Sequence, residues 1–181
     1  MKFIKTKFSD AWLIEPVVHR DARGFFLESY SLKVFGPSGI STVFVQDNHS
    51  MSIADGVLRG MHFQRPPFAQ SKLIRVIRGA VFDVIVDLRK NSPTFGQWDG
   101  FELTDEKCAM LFVPKGFAHG FCTIAARTEV MYKVDEYYSP GHDGGFRWND
   151  PDIGIRWPVQ APILSAKDAQ LPFFKDFISP F

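Results

Sequence analysis

The stretch KLIRVIRGAVFDVIVDL, residues Lys72 to Leu88, sets the first expectation for the fold. Lys72 to Arg78 and Val81 to Leu88 are both rich in Val and Ile and can be read with the period of two that is typical of a β-strand. The dipeptide Arg78-Gly79 separates them and suits a chain reversal, because glycine adopts turn conformations that other residues avoid. The stretch therefore predicts two successive strands joined by a tight turn.

The same pattern recurs along most of the chain. The other predicted strands are Trp12 to Val18, Gly24 to Tyr30, Thr42 to Asn48, Val57 to Gln64, Trp98 to Leu103, Met110 to Val113, Phe117 to Thr123 and Glu129 to Val134. Helix signals are confined to Ser31 to Phe35, Thr104 to Lys107 and a short turn capped by Ser165. We therefore predict an all-β fold, a jelly-roll β-sandwich or barrel of the cupin type with a few short peripheral helices.

Composition and charge restrict the class of protein. The 181 residues are 45% hydrophobic and 23% charged with a net charge of +1, which is typical of a globular domain and disfavours disorder or a nucleic-acid-binding surface. Composition does not change along the chain and no repeat is present, so we expect a single domain over residues 1–181. Within it, the Pro- and Phe-rich segment 151–181 is predicted to be irregular and packed over the barrel, because its Phe side chains would otherwise form a large exposed apolar patch.

The cellular location is predicted from two absences in the sequence. No apolar stretch is long enough for a membrane helix, and the amino terminus alternates charged with hydrophobic residues instead of forming a signal-peptide core. Cys108 and Cys122 are the only cysteines and form no CxxC motif, so we expect free thiols. The sequence thus predicts a cytoplasmic protein with no membrane contact.

Two of the five histidines lie in strand-like segments that could carry chemistry. His62 is in GVLRGMHFQ and His119 is in PKGFAHGF. A metal-binding cupin would need three or four ligands, typically His-x-His and Glu in the first segment, but that segment offers only His62 and Gln64. We therefore predict that no metal and no other cofactor is bound.

Cations accumulate around His62. Arg59, Lys72, Arg75 and Arg78 lie on the same two predicted strands, and a half-buried sheet does not normally collect cations on its inner face without an anion to compensate them. The alternation of Lys72 to Arg78 allows either side to point outward, so a solvated outer face is the alternative for these cations. Arg59 and His62 are three residues apart and would face opposite ways along a regular strand. A bulge at Gly60 would re-aim them.

Seven segments resemble one known family in order along the chain. They are RGFFLESY from Arg23, FVQDNHS from Phe44, GVLRGMHFQ from Gly56, AQSKLIRVIRGAVFDVIVDLR from Ala69, SPTFGQW from Ser92, VPKGFAHGF from Val113 and WNDPDIGIRWP from Trp148. The family is that of the dTDP-4-dehydrorhamnose 3,5-epimerases. The resemblance implies a metal-free cupin that works as a homodimer in deoxysugar biosynthesis. It also implies an isomerase acting on a dTDP-4-keto-6-deoxyhexose at carbons 3 and 5.

The resemblance also implies catalytic roles. His62 matches the base that removes a proton beside the ketone, and Asp168 matches the carboxylate that orients it. Such a carboxylate fixes the tautomer of the ring and raises its basicity. Tyr132 matches the acid that returns a proton on the opposite face. Lys72 matches a group near the keto oxygen, where an ammonium would stabilise an enolate.

A second set of positions matches the substrate-binding residues of the family. Arg59 matches a ligand of the diphosphate, for which a guanidinium fork is well suited, and Arg23 matches one that reaches across from a partner subunit. Asp143 stands where the family often has Glu, which leaves that contact open. The remaining matched positions are Phe26 and Tyr138 as stacking surfaces, Glu28, Gln46, Asp47 and Asn48 around the base, His119 in the sugar pocket, and Lys167.

Three alternatives remain open at the level of the sequence. An epimerase that inverts only carbon 3 or only carbon 5 would share these motifs. A non-catalytic sugar-binding jelly roll is disfavoured because a candidate base, orienting carboxylate and acid are all present. A metal-dependent cupin is disfavoured by the shortage of ligands.

Overall fold

The computed structural model describes residues 1–181 and confirms the predicted jelly roll. Its strands form a six-stranded sheet, a five-stranded sheet and a separate two-stranded hairpin, and all pairings between neighbouring strands are antiparallel. No strand pairs from one large sheet to the other, so the fold is a sandwich and not a closed barrel.

The six-stranded sheet consists, in spatial order, of β1 (Lys2–Lys5), β2 (Trp12–Glu15), β10 (Met110–Val113), β7 (Lys72–Arg78), β12 (Thr128–Val134) and β5 (Gln46–Ser52). The five-stranded sheet consists of β13 (Asp143–Gly145), β6 (Leu58–Gln64), β11 (Phe117–Thr123), β8 (Ala80–Asp87) and β9 (Trp98–Thr104). The hairpin is formed by β3 (Val18–Asp21) and β4 (Gly24–Leu27).

Helices are few and short. They are α1 (Leu32–Phe35), α2 (Ala166–Ala169) and three 3-10 segments at Gly36–Ser38, Pro140–His142 and Phe174–Asp176. Ser165 caps α2 as predicted, its Oγ accepting a hydrogen bond from the backbone N–H of Asp168 at 3.1 Å. None of these helices has the length and apolar character needed to cross a membrane.

The main hydrophobic core lies between the two large sheets. Ile74 and Val130 from the six-stranded sheet and Val81, Ile85 and Phe117 from the five-stranded sheet belong to one cluster of buried side chains. Alternate residues of each strand point into this cluster, because successive side chains of a strand face opposite sides of the sheet. The period of two in the sequence therefore marks the faces that meet in the core.

A second core covers the outer face of the five-stranded sheet. Here Met61 and Phe63 of β6 pack with Phe146 and with Phe174 and Phe177 of the C-terminal segment. Phe146 and Phe177 stack with ring centroids 6.0 Å apart. The C-terminal segment therefore shields aromatic side chains on this face and brings α2 to the end of the sandwich beside β6.

Several predicted boundaries differ from the structure. The predicted strand from Trp12 is divided into β2 and β3 around Pro16, which cannot donate a ladder hydrogen bond. The predicted helix at Thr104 to Lys107 is wrong. The Cys108 N–H does bond to the Thr104 carbonyl at 3.1 Å, but Cys108 has φ 52, a left-handed conformation that ends the turn after one bond.

Two edge strands were not predicted. β1 is a short KFIK segment that pairs with β2, and its alternation alone is too brief to indicate a strand. β13 has the sequence Asp-Gly-Gly, which has little strand propensity. It forms because Gly145 lets the two backbones approach closely: a Cβ there would lie 2.3 Å from the Met61 carbonyl oxygen.

Candidate active site

A cavity of about 440 Å³ opens between the two sheets at one end of the sandwich. The six-stranded sheet contributes strands β5, β7 and β12 to its wall, the five-stranded sheet contributes β6 and β11, and the segment around α2 completes it. The residues around the cavity are Ser50, Val57, Leu58, Arg59, His62, Lys72, His119, Phe121, Tyr132, Ile163, Leu164, Ser165, Lys167 and Asp168. Its size suits a small-molecule ligand.

An irregularity in β6 lets Arg59 and His62 both face the cavity. On the neighbouring β11, Arg59 is opposite Phe121 and His62 is opposite His119, so β6 has one residue more than β11 between these pairs. The extra residue lies at Gly60, as predicted. Gly60 has φ 145, and a Cβ there would lie 2.6 Å from the Gly120 Cα, so both the conformation and the close approach require glycine.

His62 and Asp168 form a hydrogen-bonded pair at the cavity wall. His62 Nε2 lies 2.6 Å from Asp168 Oδ1, and Asp168 is buried, with 3% of its surface exposed. Burial by itself would raise the pKa of Asp168, but the hydrogen bond and charge of His62, together with the charge of Lys167, lower it below its usual value. An ionised carboxylate only accepts, so Nε2 carries a proton, and neutral His62 therefore has its basic lone pair on Nδ1.

His119, on the cavity wall, and Asp83 form a second buried pair. His119 Nε2 is 2.9 and 3.0 Å from the two carboxylate oxygens of Asp83, which is fully buried in β8. Burial lowers the pKa of His119, and the charge of Asp83 only partly opposes this shift. Asp83 was missed in the sequence analysis. The available signal was a single acid within the apolar run VFDVIV, where an isolated carboxylate needs a partner.

Lys72 and Tyr132 enter the cavity from the six-stranded sheet, opposite the strand that carries His62. Lys72 Nζ lies 6.0 Å from the centroid of the Tyr132 ring. Burial lowers the pKa of Lys72 to about 8, although the charges of Asp83 and Asp143 oppose the shift. Burial raises the pKa of the Tyr132 hydroxyl, so it remains protonated at neutral pH.

A polar cluster lies beside α2 and includes three of the predicted binding residues. Lys167, on α2, forms an ion pair with Asp143 on β13. The Tyr138 hydroxyl donates to Asp143 Oδ2 at 3.2 Å, and 56% of Tyr138 is exposed. Asp143 is thus long enough to reach both neighbours in the free protein, and its contact with a ligand stays a prediction.

Arg59 has few partners within the chain. Its Nη2 lies 3.4 Å from the Met51 carbonyl oxygen and 3.5 Å from Ser52 Oγ. Both are at the long end of hydrogen-bond distances. The guanidinium of Arg59 is therefore free to bind an anion in the cavity.

The predicted residues of β5 fall on two faces of the sheet. Gln46 Nε2 donates to Asn48 Oδ1 at 2.9 Å, and Gln46 Oε1 accepts from the backbone N–H of Tyr138 at 3.3 Å. Asp47 instead pairs with Lys133 at 2.8 Å on the outer face. The alternation of a strand separates Asp47 from its two neighbours, and none of these three residues is part of the cavity wall.

The hairpin formed by β3 and β4 carries predicted binding residues that do not reach the cavity of their own chain. Arg23 is in the turn, pairs with Asp21 at 2.6 Å, and has 90% of its side chain exposed. Phe26 is 71% exposed, and Glu28 beyond the hairpin is also exposed. The structure therefore does not bring these three residues together with His62 within one chain.

The side chains around the cavity do not form a metal site. No group of three or more His, Cys, Asp or Glu side chains is arranged to hold a metal ion. His62 and His119 each use Nε2 to contact a carboxylate instead.

Comparison with known proteins identifies close relatives. Residues 5–176 match the family model described as dTDP-4-dehydrorhamnose 3,5-epimerase. The enzyme of that name from Shigella flexneri is 50% identical over 177 residues, 97% of each chain.

Two solved structures are similarly close. The dTDP-4-dehydrorhamnose 3,5-epimerase from Bacillus anthracis, with TDP and PPi bound, is 57% identical with a TM-score of 0.94, over 96% of this chain and 99% of that one. The dTDP-6-deoxy-D-glucose-3,5-epimerase from Legionella pneumophila, in complex with dTDP-4-keto-L-rhamnose, is 42% identical with a TM-score of 0.92, over 97% and 93% of the two chains.

Proposed function

Because the chain belongs to the dTDP-4-dehydrorhamnose 3,5-epimerase family, we infer that it is an isomerase of dTDP-4-dehydro-6-deoxy-D-glucose. It inverts carbons 3 and 5 and yields dTDP-4-dehydro-L-rhamnose. The main support for this function is the 2.6 Å contact between His62 and buried Asp168 at the cavity wall. Lys72 and Tyr132 enter the same cavity from the opposite sheet.

Proton abstraction is assigned to His62. A hydrogen on a carbon beside a ketone is weakly acidic, and a positioned base is needed to remove it. The Nδ1 atom of His62 takes this proton while Nε2–H keeps its bond to Asp168, so the carboxylate stabilises the imidazolium that forms. The electron pair of the broken C–H bond moves to the keto oxygen, giving an enolate.

The enolate needs a positive group at its oxygen. Lys72 is assigned this role, because its ammonium is in the cavity and its charge acts more strongly where water is excluded. Tyr132 is assigned the return of a proton to the carbon from the other face, and its raised pKa keeps the hydroxyl protonated. The imidazolium of His62 then releases its proton to solvent, and the tyrosinate of Tyr132 takes one up from solvent. With both groups restored, the same abstraction and reprotonation at the second carbon complete the conversion.

The dTDP portion of the substrate is assigned to two cations of the cavity wall and to polar residues that lie outside the wall. Arg59, with only long contacts inside the chain, suits the diphosphate, and Lys167 adds a second cation at the same cavity. Gln46 and Asn48 are assigned to the base, with exposed Tyr138 as a stacking surface. In this arrangement Lys167 leaves its ion pair with Asp143 and binds the ligand instead.

A homodimer would complete the site. Arg23 and Phe26 extend from the hairpin into solvent, and two adjacent exposed Phe, 53% exposed at Phe25 and 71% at Phe26, are unusual on a free surface. We propose that this hairpin lies against the cavity of a second copy, and that the protein works in the cytoplasm with its two cysteines as free thiols. Sedimentation of the full chain tests the dimer, and a monomer at assay concentration would contradict it.

The function is tested by incubation with dTDP-4-dehydro-6-deoxy-D-glucose in deuterated water. We expect deuterium at both carbons 3 and 5 and, when a reductase is coupled, a product with the L-rhamno configuration, both read by NMR. Exchange and inversion at only one carbon would instead assign the protein as a monoepimerase. No exchange at either carbon would contradict the proposed function.

The pH dependence of the reaction reports on Lys72. Burial lowers its pKa from the ordinary lysine value of 10.5 to about 8, so the ammonium is present below pH 8 and is lost as the pH rises through that value. We expect kcat/KM to fall above about pH 8, because the neutral amine stabilises an enolate less well. The pH profile of Lys72→Arg is the check. Since arginine keeps its charge, the residual activity of this variant should no longer fall above about pH 8. If the fall is unchanged in the variant, a group other than Lys72 causes it.

A further inference from the structure

Ser50, a residue of the cavity wall, carries a buried hydroxyl without a partner. We propose that Ser50 Oγ donates a hydrogen bond to a diphosphate oxygen of the bound sugar nucleotide, an inference that rests on the proposed function. Ser50 lies in β5, forms part of the cavity wall, and its Oγ is buried with no hydrogen-bond partner in the chain. A buried polar atom left unpaired destabilises the folded state, so its presence in a ligand cavity points to a partner that the ligand supplies.

The register of β5 places Ser50 beside the proposed diphosphate site. Inward-facing residues of a strand recur every second position, about 7 Å apart. One such step from Ser50 is Ser52, whose Oγ is 3.5 Å from Arg59 Nη2. The opposite step reaches Asn48, which is opposite Tyr132 on β12. Ser50 therefore lies one inward step from Ser52, beside the residue assigned to the diphosphate, and one inward step from Asn48, which is assigned to the base and is opposite Tyr132.

The chemistry of the neighbouring groups indicates an acceptor as the missing partner. Arg59 and Lys72 can only donate hydrogen bonds when charged. The single carboxylate on the cavity wall is Asp168, and it is already paired with His62. A cavity with an excess of donors needs a ligand with several acceptor oxygens, and a diphosphate provides them. Rotation about the Cα–Cβ bond of Ser50 turns its hydroxyl toward that ligand.

The proposal predicts opposite effects of one substitution on binding and on stability. In Ser50→Ala we expect affinity for dTDP to fall about tenfold, the loss typical of a hydrogen bond to a charged acceptor, with thymidine affinity unchanged. Because the hydroxyl has no partner in the free protein, its removal should leave the thermal unfolding midpoint equal or higher. Calorimetric titration of the full chain with dTDP and with thymidine, and thermal unfolding without ligand, measure these quantities.

Thr128→Val is the matched control. Thr128 is opposite Ser52 on the same strand pair, and its buried Oγ1 donates to the Ala125 carbonyl at 2.7 Å. Removing this partnered hydroxyl should lower the unfolding midpoint and leave dTDP affinity unchanged.

Three results would overturn the proposal: unchanged dTDP affinity in Ser50→Ala, an equal loss for thymidine, or a loss seen only with the complete sugar nucleotide, which would place the hydroxyl at the hexose. Wild-type protein that does not bind dTDP would overturn it as well. Wild-type protein that binds dTDP but catalyses no exchange would refute the epimerase function while the Ser50 contact stands.

Discussion

Replacing His62 by alanine is expected to nearly abolish deuterium exchange at both carbon 3 and carbon 5. The Nε2–H of His62 is bonded to the carboxylate of Asp168 on the cavity wall. This bond leaves Nδ1 of His62 as the basic atom. General base catalysis contributes about a hundred- to ten-thousand-fold, so the exchange rate should fall by that factor. The measurement is NMR of the substrate in deuterated water, which records exchange even when no inversion follows.

The control for this variant is His49→Ala. His49 lies on the outer face of β5, where its Nε2 contacts Glu129 at 3.1 Å and its side chain is 51% exposed. We expect exchange at the wild-type rate in this control. Since removal of His62 leaves Asp168 buried without its partner, thermal unfolding should be recorded for both variants. Folded His62→Ala with exchange at the wild-type rate would show that another group is the base.

Replacing Tyr132 by phenylalanine is expected to separate proton exchange from inversion. His62 is retained, so abstraction continues and carbon-bound hydrogen is replaced by deuterium. Without a donor on the opposite face, reprotonation by the imidazolium returns the original configuration. Formation of the inverted product should fall by about a hundred- to ten-thousand-fold, while exchange falls much less. NMR assignment of both the deuterium content and the configuration of the sugar separates the two outcomes.

Phenylalanine is a close match for Tyr132 in shape, so the ring that lies 6.0 Å from Lys72 Nζ remains in place. Tyr137→Phe is a suitable control, because Tyr137 is 62% exposed and lies outside the cavity wall. If Tyr132→Phe gives the wild-type product distribution, the hydroxyl is not the proton donor. If exchange and inversion fall together, Tyr132 acts before the proton is returned.

Parts of the site could be predicted from local sequence because they depend on neighbouring residues. The bulge in β6 follows from Gly60 between Arg59 and His62, since one extra residue on a strand reverses the faces that follow it. The segments that resemble the epimerase family include His62, Lys72 and His119, all of which line the cavity. The alternation of these strands did not by itself say which side faces the cavity, so their roles were indicated by the family segments.

Other parts depend on contacts between distant segments. Asp168 is 106 residues from His62 in the sequence and reaches it because the C-terminal segment packs over the five-stranded sheet. Asp83 pairs with His119 across two neighbouring strands; its place in an apolar run indicates burial, but nothing local identifies its partner. The unpaired hydroxyl of Ser50 also could not be predicted, because whether its Oγ has a partner depends on the residues that surround it in the fold.

The amino-acid sequence was enough to predict the class of fold and to indicate candidate catalytic side chains, because alternation, turn residues and family segments are properties of short stretches of chain. Which atoms meet, which charges are buried and in which direction each pKa shifts became known only from the folded arrangement of the chain. It also left the hairpin with Arg23 in solvent, away from its own cavity. The physical reason is that desolvation and hydrogen bonding depend on three-dimensional surroundings, which strands distant in the sequence provide together.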